Sequence, residues 1–237
     1  MSNADLAQLI LKSTATAGVG VTEKQAQLLS RHIRIMLEWN SRINLTRITG
    51  PEEIIVKHLL DCILPSKFLP SSGQALDVGT GAGFPGIPLK IVYPGLQVVL
   101  LDSNRKKISF LTAVAAALGL KGVRVLHGRW QDFSKDAANA HRFELITMRA
   151  LRFEPEYITG LASRVLASGG VLARWRSAAL CTLEESEGCA TDKSLYSGME
   201  FQGDFNYLLP GIKHPRSVRL WRKTADTSDT ESSRFSF

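Results

Sequence analysis

Hydrophobic positions along the chain change their period near residue 74. Before that point they recur every three or four residues. Leu29, Ile33, Met36 and Leu37 share one helical face, and Ile55, Leu59, Cys62 and Ile63 share another. Thr22 and Gln25 have the spacing of a capping box, and Pro51 suits a first helical position. Trp39 and Asn40 close the first run, while Pro65 and Pro70 stop the second. Residues 1–70 are therefore expected to form a helical cap packed on whatever follows.

From Gln74 the texture becomes short apolar runs, ALDV, VVLLD, VRVLH, FELITM and GGVLARW, separated by helical segments around 86–93, 104–118 and 153–166. Two further strands are expected near 200–207 and 217–223. This alternation predicts an α/β domain over 71–223, with a mostly parallel seven-stranded sheet and helices on both faces. The last stretch, 224–237, is polar and rich in Ser and Thr, which predicts a disordered tail.

Composition narrows the class. A length of 237 residues with 44% hydrophobic content is enough for a real core. No apolar run is long enough to span a membrane, and the N-terminus lacks the pattern of a secretory signal, so a cytoplasmic protein is expected. The three cysteines, Cys62, Cys181 and Cys189, fit neither a disulfide framework nor a zinc site, and no metal is expected. A net charge of +7 favours an acidic partner, with nucleic acid first among the candidates. The excess is concentrated between 72 and 150, where ten Lys and Arg face five Asp and Glu.

That segment opens with LDVGTGAGFPG, Leu76 to Gly86. The run lies where a first strand turns into a helix, the place in an open α/β sheet where ligands collect. Gly79, Gly81 and Gly83 allow positive φ and close approach of a ligand to the backbone. The second strand ends at Asp102, 19 residues beyond Gly83, placed to accept the hydroxyls of a ribose. Gly81 to Gly86 also fits the dinucleotide fingerprint, which keeps an NAD-dependent oxidoreductase open. Asp77 argues against a pyrophosphate, because a carboxylate so close to the glycines repels phosphate and welcomes an ammonium. A ligand with an amino acid end, S-adenosylmethionine, is the expected cofactor. The third reading, an RNA-binding ribosome-assembly factor without catalysis, leaves the glycines and Asp102 without a task.

Beyond the loop, EWNSRINLT (Glu38 to Thr46), KHLLDC (Lys57 to Cys62), LDVGTGAGFPGIPL (Leu76 to Leu89), LLDSNRKKISFL (Leu100 to Leu111) and MRAL (Met148 to Leu151) resemble the small-subunit ribosomal RNA guanine-N7 methyltransferase G family. The family is also called glucose-inhibited division protein B, and the resemblance runs from about residue 20 to 223. It implies a Rossmann-like class I S-adenosylmethionine-dependent fold and methyl transfer to N7 of a guanine in 16S ribosomal RNA. It implies further that Gly79 and Phe84 belong to the cofactor loop, that Asp102 holds the ribose, that Trp130 and Gln131 flank the adenine, and that Arg149 lines the reaction centre as catalytic and cofactor-binding residue. His58 and Asp61, three apart in KHLLDC, are expected to cap or to hydrogen-bond in the interior rather than to act as an acid–base pair.

The sequence departs from the family pattern at Lys57, Cys62 and Met148, where Arg, Ser and Ser are expected. ARWRSA (Ala173 to Ala178) replaces a Lys-Gly pair, so Arg174 and Arg176 are expected to substitute for the missing Lys on the substrate side. Arg105, Lys106 and Lys107 crowd the first turn of a predicted helix, where the helix dipole disfavours cations, and are candidates for RNA phosphate contact. The expected partner is 16S ribosomal RNA or the small ribosomal subunit, met by a monomer.

Overall fold

The computed structural model describes residues 1–151, 154–176 and 198–224. Cys181, Cys189 and the tail beyond Thr224 lie outside the described residues.

The N-terminal third is helical, as its period predicts. Helix α1 (Asn3–Thr16) begins at a capping box of Ser2 and Asp5, and α2 (Glu23–Ile43) at the expected box of Thr22 and Gln25. Helix α2 outlasts the expected stop at Asn40 and ends at Asn44, which takes the left-handed conformation that Asn tolerates at a helix end. Pro51 opens α3 (Pro51–Ile54), which continues as a π-helical turn over Ile55–Leu60 and returns to α geometry in α4 (Asp61–Ile63). Pro65 does not stop the chain at once, because a proline near the start of a 3-10 turn needs no backbone donor. The turn Leu64–Phe68 begins there.

Seven strands follow: β1 (Gly73–Val78), β2 (Leu96–Asp102), β3 (Val123–His127), β4 (Phe143–Arg149), β5 (Leu166–Arg176), β6 (Met199–Tyr207) and β7 (Arg216–Lys223). They form one sheet in the order β3-β2-β1-β4-β5-β7-β6, parallel except for β7, which runs antiparallel to both neighbours. Helices α5 (Gly86–Val92), α6 (Arg105–Leu118), α7 (Trp130–Phe133) and α8 (Pro155–Val165) connect the parallel strands.

Alternation along the strands divides the core between the two faces. On β1, Ala75 packs in one cluster with the N-terminal helices, α5 and α6, while Leu76 and Val78 pack in a second with Trp130 and α8. The first cluster joins Leu29, Ile33, Met36, Ile55 and Leu59 to Leu100, Leu145 and Trp175 of the sheet. The helices of residues 3–68 thus share a continuous apolar core with the sheet. Strand order reverses between β1 and β4, and the carboxyl ends of these two strands open a crevice there.

Candidate active site

Two clefts meet at the mouth of this crevice. One, of about 360 Å³, is bordered by Gly79, Asp102, Lys107, Arg129, Trp130 and Gln131. The other, of about 490 Å³, is bordered by the glycine loop, His58, Phe84, Arg149, Trp175 and Arg216. Gly79, Lys107 and Leu151 belong to both, so the two spaces adjoin at these residues.

The glycine loop needs its glycines. Gly79 has φ +65°, and a Cβ there would lie 2.9 Å from the Leu151 side chain. Gly83 has φ +86° and would drive a Cβ into Ile87. Gly81 donates its N–H to Asp102 Oδ2 at 3.0 Å, while Asp102 Oδ1 accepts from Asn104 N–H at 2.9 Å. The carboxylate at the end of β2 is thereby clamped between loop and α6, with the Lys107 ammonium 3.8 Å away. Of the three basic residues at the start of α6, Arg105 and Lys106 are exposed and Lys107 turns into the crevice. Their unfavourable position is offset by Asn104, whose side chain accepts from the N–H groups of Lys106 and Lys107.

Trp130 takes both readings open to an aromatic there: it is buried against the second core cluster, and it borders the Asp102 cleft beside half-buried Gln131. Phe84 is buried between two histidine rings, His32 with centroids 4.8 Å apart and His58 at 5.1 Å. His32 comes from α2, and its Nε2 sits 2.8 Å from the carbonyl oxygen of Ala82, so the N-terminal helices brace the loop from behind. Burial lowers the His32 pKa to about 4. Burial, then the charge of Arg149, brings His58 to about 4 as well, and both rings are neutral near pH 7.

Asp77 corrects one expectation. Strand alternation turns its side chain toward α5, where it is 1% exposed and borders neither cleft. Its Oδ2 accepts from Gly86 N–H at 3.0 Å and its Oδ1 from the Thr147 hydroxyl at 2.8 Å. Asp77 therefore ties the start of α5 to β4 instead of meeting an ammonium directly. Burial raises its pKa to about 6 despite these hydrogen bonds.

Arg149 ends β4, followed by Ala150 in the left-handed region at φ 59°, a position that costs energy for a residue with a Cβ. Its guanidinium reaches Asp61, with Nη2 at 2.8 Å and Nε at 3.0 Å from Oδ2, and donates from Nη2 to the Lys57 carbonyl at 2.6 Å. Asp61 Oδ1 accepts from the Tyr207 hydroxyl at 2.8 Å, and the Asp61 carbonyl accepts from Trp175 Nε1 at 2.7 Å. Burial keeps the Tyr207 phenol protonated as a donor. The Arg149 contact with His58 Nδ1 at 3.4 Å assigns the proton to Nε2, which then donates to Thr46 Oγ1 at 2.9 Å. The expectation of hydrogen-bonding roles for His58 and Asp61 agrees with these partners. Their place beside Arg149 was not legible in their spacing, although the KHLLDC motif marked the segment.

Arg174 and Arg176 correct a second expectation. Both are buried, at 3% and 5% exposure, because β5 is an interior strand covered on both faces. Arg174 borders neither cleft. Arg176 borders the Arg149 cleft but is paired with Asp204 at 3.1 Å. Neither is an exposed RNA contact. Arg216, which borders the same cleft from the start of β7, carried no sequence signal.

Residues 25–191 match the model of a family described as rRNA small subunit methyltransferase G. A ribosomal RNA small subunit methyltransferase G 1 of Syntrophobacter fumaroxidans is 46% identical over 209 residues, covering 86% of this chain and 91% of that protein. A ribosomal RNA small subunit methyltransferase G of Streptococcus gordonii is 36% identical, covering 89% of this chain and 88% of its own length. Among solved structures, TYW2 of P. horikoshii in complex with MeSAdo has a TM-score of 0.51 at 15% identity, over 70% of this chain and 62% of that one. The [4+2]-cyclase SpnF has a TM-score of 0.52 at 15% identity, over 70% and 80% of the two chains. At that identity the likeness concerns the fold, which is the Rossmann-like fold of class I methyltransferases.

Proposed function

The chain belongs to the rRNA small subunit methyltransferase G family, and from that premise we propose how its residues divide the work of methylating guanine N7 in 16S ribosomal RNA. It is an S-adenosylmethionine-dependent rRNA methyltransferase. The observation that carries the assignment of residues is that the two clefts adjoin, with Gly79, Lys107 and Leu151 bordering both. The cofactor would lie with its ribose toward Asp102 and its sulfonium end toward Arg149.

The donor set suits the cofactor. Asp102 has lone pairs for ribose hydroxyls, and Trp130 and Gln131 flank the adenine. Gly79, Gly81 and Phe84 would form the floor beneath its amino acid end, with Gly83 behind them against Ile87 and His32. Asp77 acts from behind this floor by holding α5, and its charge reaches an ammonium only through the loop. When bound, S-adenosylmethionine supplies an electrophilic methyl group on a positively charged sulfur.

Guanine N7 carries an unprotonated lone pair, so the protein has no proton to remove. Its contribution is orientation, electrostatics and exclusion of water. Arg149 is the residue at the reaction centre. Asp61 balances its charge and sets its direction, while neutral His58 and Phe84 give the pocket an uncharged wall. The exposed Arg105 and Lys106 take RNA phosphates outside the crevice, with Lys107 at its edge.

Residues 1–70 act as a cap that braces the catalytic unit of residues 71–223. We read the protein as a cytoplasmic monomer that needs no metal ion, since both reacting partners are competent without a Lewis acid. The test is incubation with labelled S-adenosylmethionine and unmethylated ribosomal RNA, small subunits or tRNA, followed by cleavage selective for N7-methylguanine. Label in 16S RNA at one guanine is expected. Label in tRNA alone, or at a pyrimidine, overturns the reading.

A further inference from the structure

Four cationic side chains border the Arg149 cleft, and three have acidic company. Lys107 lies 3.8 Å from Asp102, Arg149 lies 2.8 Å from Asp61, and Arg176 lies 3.1 Å from Asp204. The fourth, Arg216, is half-buried at the first position of β7. Among the described residues, no carboxylate or hydrogen-bond acceptor meets its guanidinium. Its charge is felt inside the site, where it adds to burial and to Arg149 in lowering the basicity of His58. A partly desolvated guanidinium with five donors and no acceptor among the described residues calls for an anion.

We propose that Arg216 holds a backbone phosphate of the RNA strand whose guanine enters the cleft; this rests on the methyltransferase reading above. The base edge is the competing ligand, because guanidinium groups commonly grip guanine at O6 and N7. Here N7 must stay free, and its methylation places a formal positive charge on the purine. A guanidinium at O6 would oppose that charge at short range. A phosphate presents no such conflict and matches the two-pronged geometry of arginine. The rest of the cleft is arranged in the same sense, since His58 and Phe84 are uncharged and the other cations are balanced. Exposed Lys213 and His214 precede Arg216 in the chain and extend the basic run away from the site.

Arg216→Gln and Arg216→Lys, made in the full chain and checked for an unchanged melting temperature, test the assignment. Methylation of unmethylated small-subunit RNA is measured over a series of salt concentrations, and S-adenosylmethionine affinity by calorimetry. Arg216→Gln is expected to raise the RNA KM about tenfold at low salt, and to flatten the slope of log KM against log salt by about 0.7, the value for one phosphate on a single strand. Cofactor affinity stays unchanged, and kcat stays within about twofold. Arg216→Lys restores the slope and part of the KM, because it keeps the charge and loses the fork. A weaker cofactor affinity in Arg216→Gln would reassign the residue to the cofactor carboxylate. An unchanged slope would overturn the phosphate contact, whatever happens to kcat. Should the wild type methylate no small-subunit RNA, the functional reading falls, while RNA binding by wild type and Arg216→Gln across salt still decides the phosphate contact.

Discussion

Asp61 and Arg149, 88 positions apart in sequence, are joined by an ion pair of 2.8 Å that links the helical N-terminal segment to the end of β4. Asp61 is 1% exposed, and its carboxylate also accepts from Tyr207. A carboxylate this well used holds the arginine in one direction.

Replacing it exposes that function. Asp61→Asn is expected to leave the Arg149 charge uncompensated at a partly buried site and to cost about 3 kcal/mol of stability. A side chain at the reaction centre displaced by about 1 Å lowers kcat about 100-fold. Arg149→Lys should lower kcat comparably, since an ammonium cannot meet Asp61, the Lys57 carbonyl and His58 from one plane. Single-turnover rates with saturating RNA, together with urea melts, check both. A kcat in Asp61→Asn equal to wild type would mean that Arg149 needs no such support.

Asp102 offers a test at the other end of the crevice. Asp102→Asn keeps an acceptor oxygen for only one of the N–H groups of Gly81 and Asn104, which meet different carboxylate oxygens, and loses the charge that strengthens ribose contacts. The expected loss is about 2 kcal/mol, or about 30-fold in cofactor affinity, by calorimetry. Unchanged affinity in a folded variant would remove Asp102 from the ribose.

Asp77 makes stability depend on pH in an unusual direction. Its pKa rises from 3.8 to about 6 on folding, so the folded protein keeps the proton over a range where the unfolded chain has lost it. The stability it contributes is complete below the unfolded value and is lost as pH climbs through about 6. The change amounts to about 3 kcal/mol across that window. Asp77→Asn cannot ionise. Denaturant melts of the two proteins between pH 4 and 7 should therefore diverge in favour of the variant by about that amount as pH rises, and a constant difference would contradict the assignment.

The alternation of strand and helix was legible in the chain because period follows local geometry: a side chain every second residue faces one side of a strand, and every third or fourth faces one side of a helix. All seven expected strand positions are occupied by strands. The glycines, Asp102 and Arg149 were legible for a related reason, since their places at strand ends follow from the order of elements alone. The burial of Asp77 and Arg174 away from both clefts is not legible in the chain, because direction is a tertiary property. Asp77 points under the loop once α5 packs on its face, and Arg174 is buried once β5 lies between β4 and β7. The amino-acid order thus determined the elements, the place of the glycine loop and the family. Which charges meet, Asp61 with Arg149 and Asp204 with Arg176, and that Arg216 borders the same cleft, was decided only when distant segments came within the few ångströms over which such pairs act.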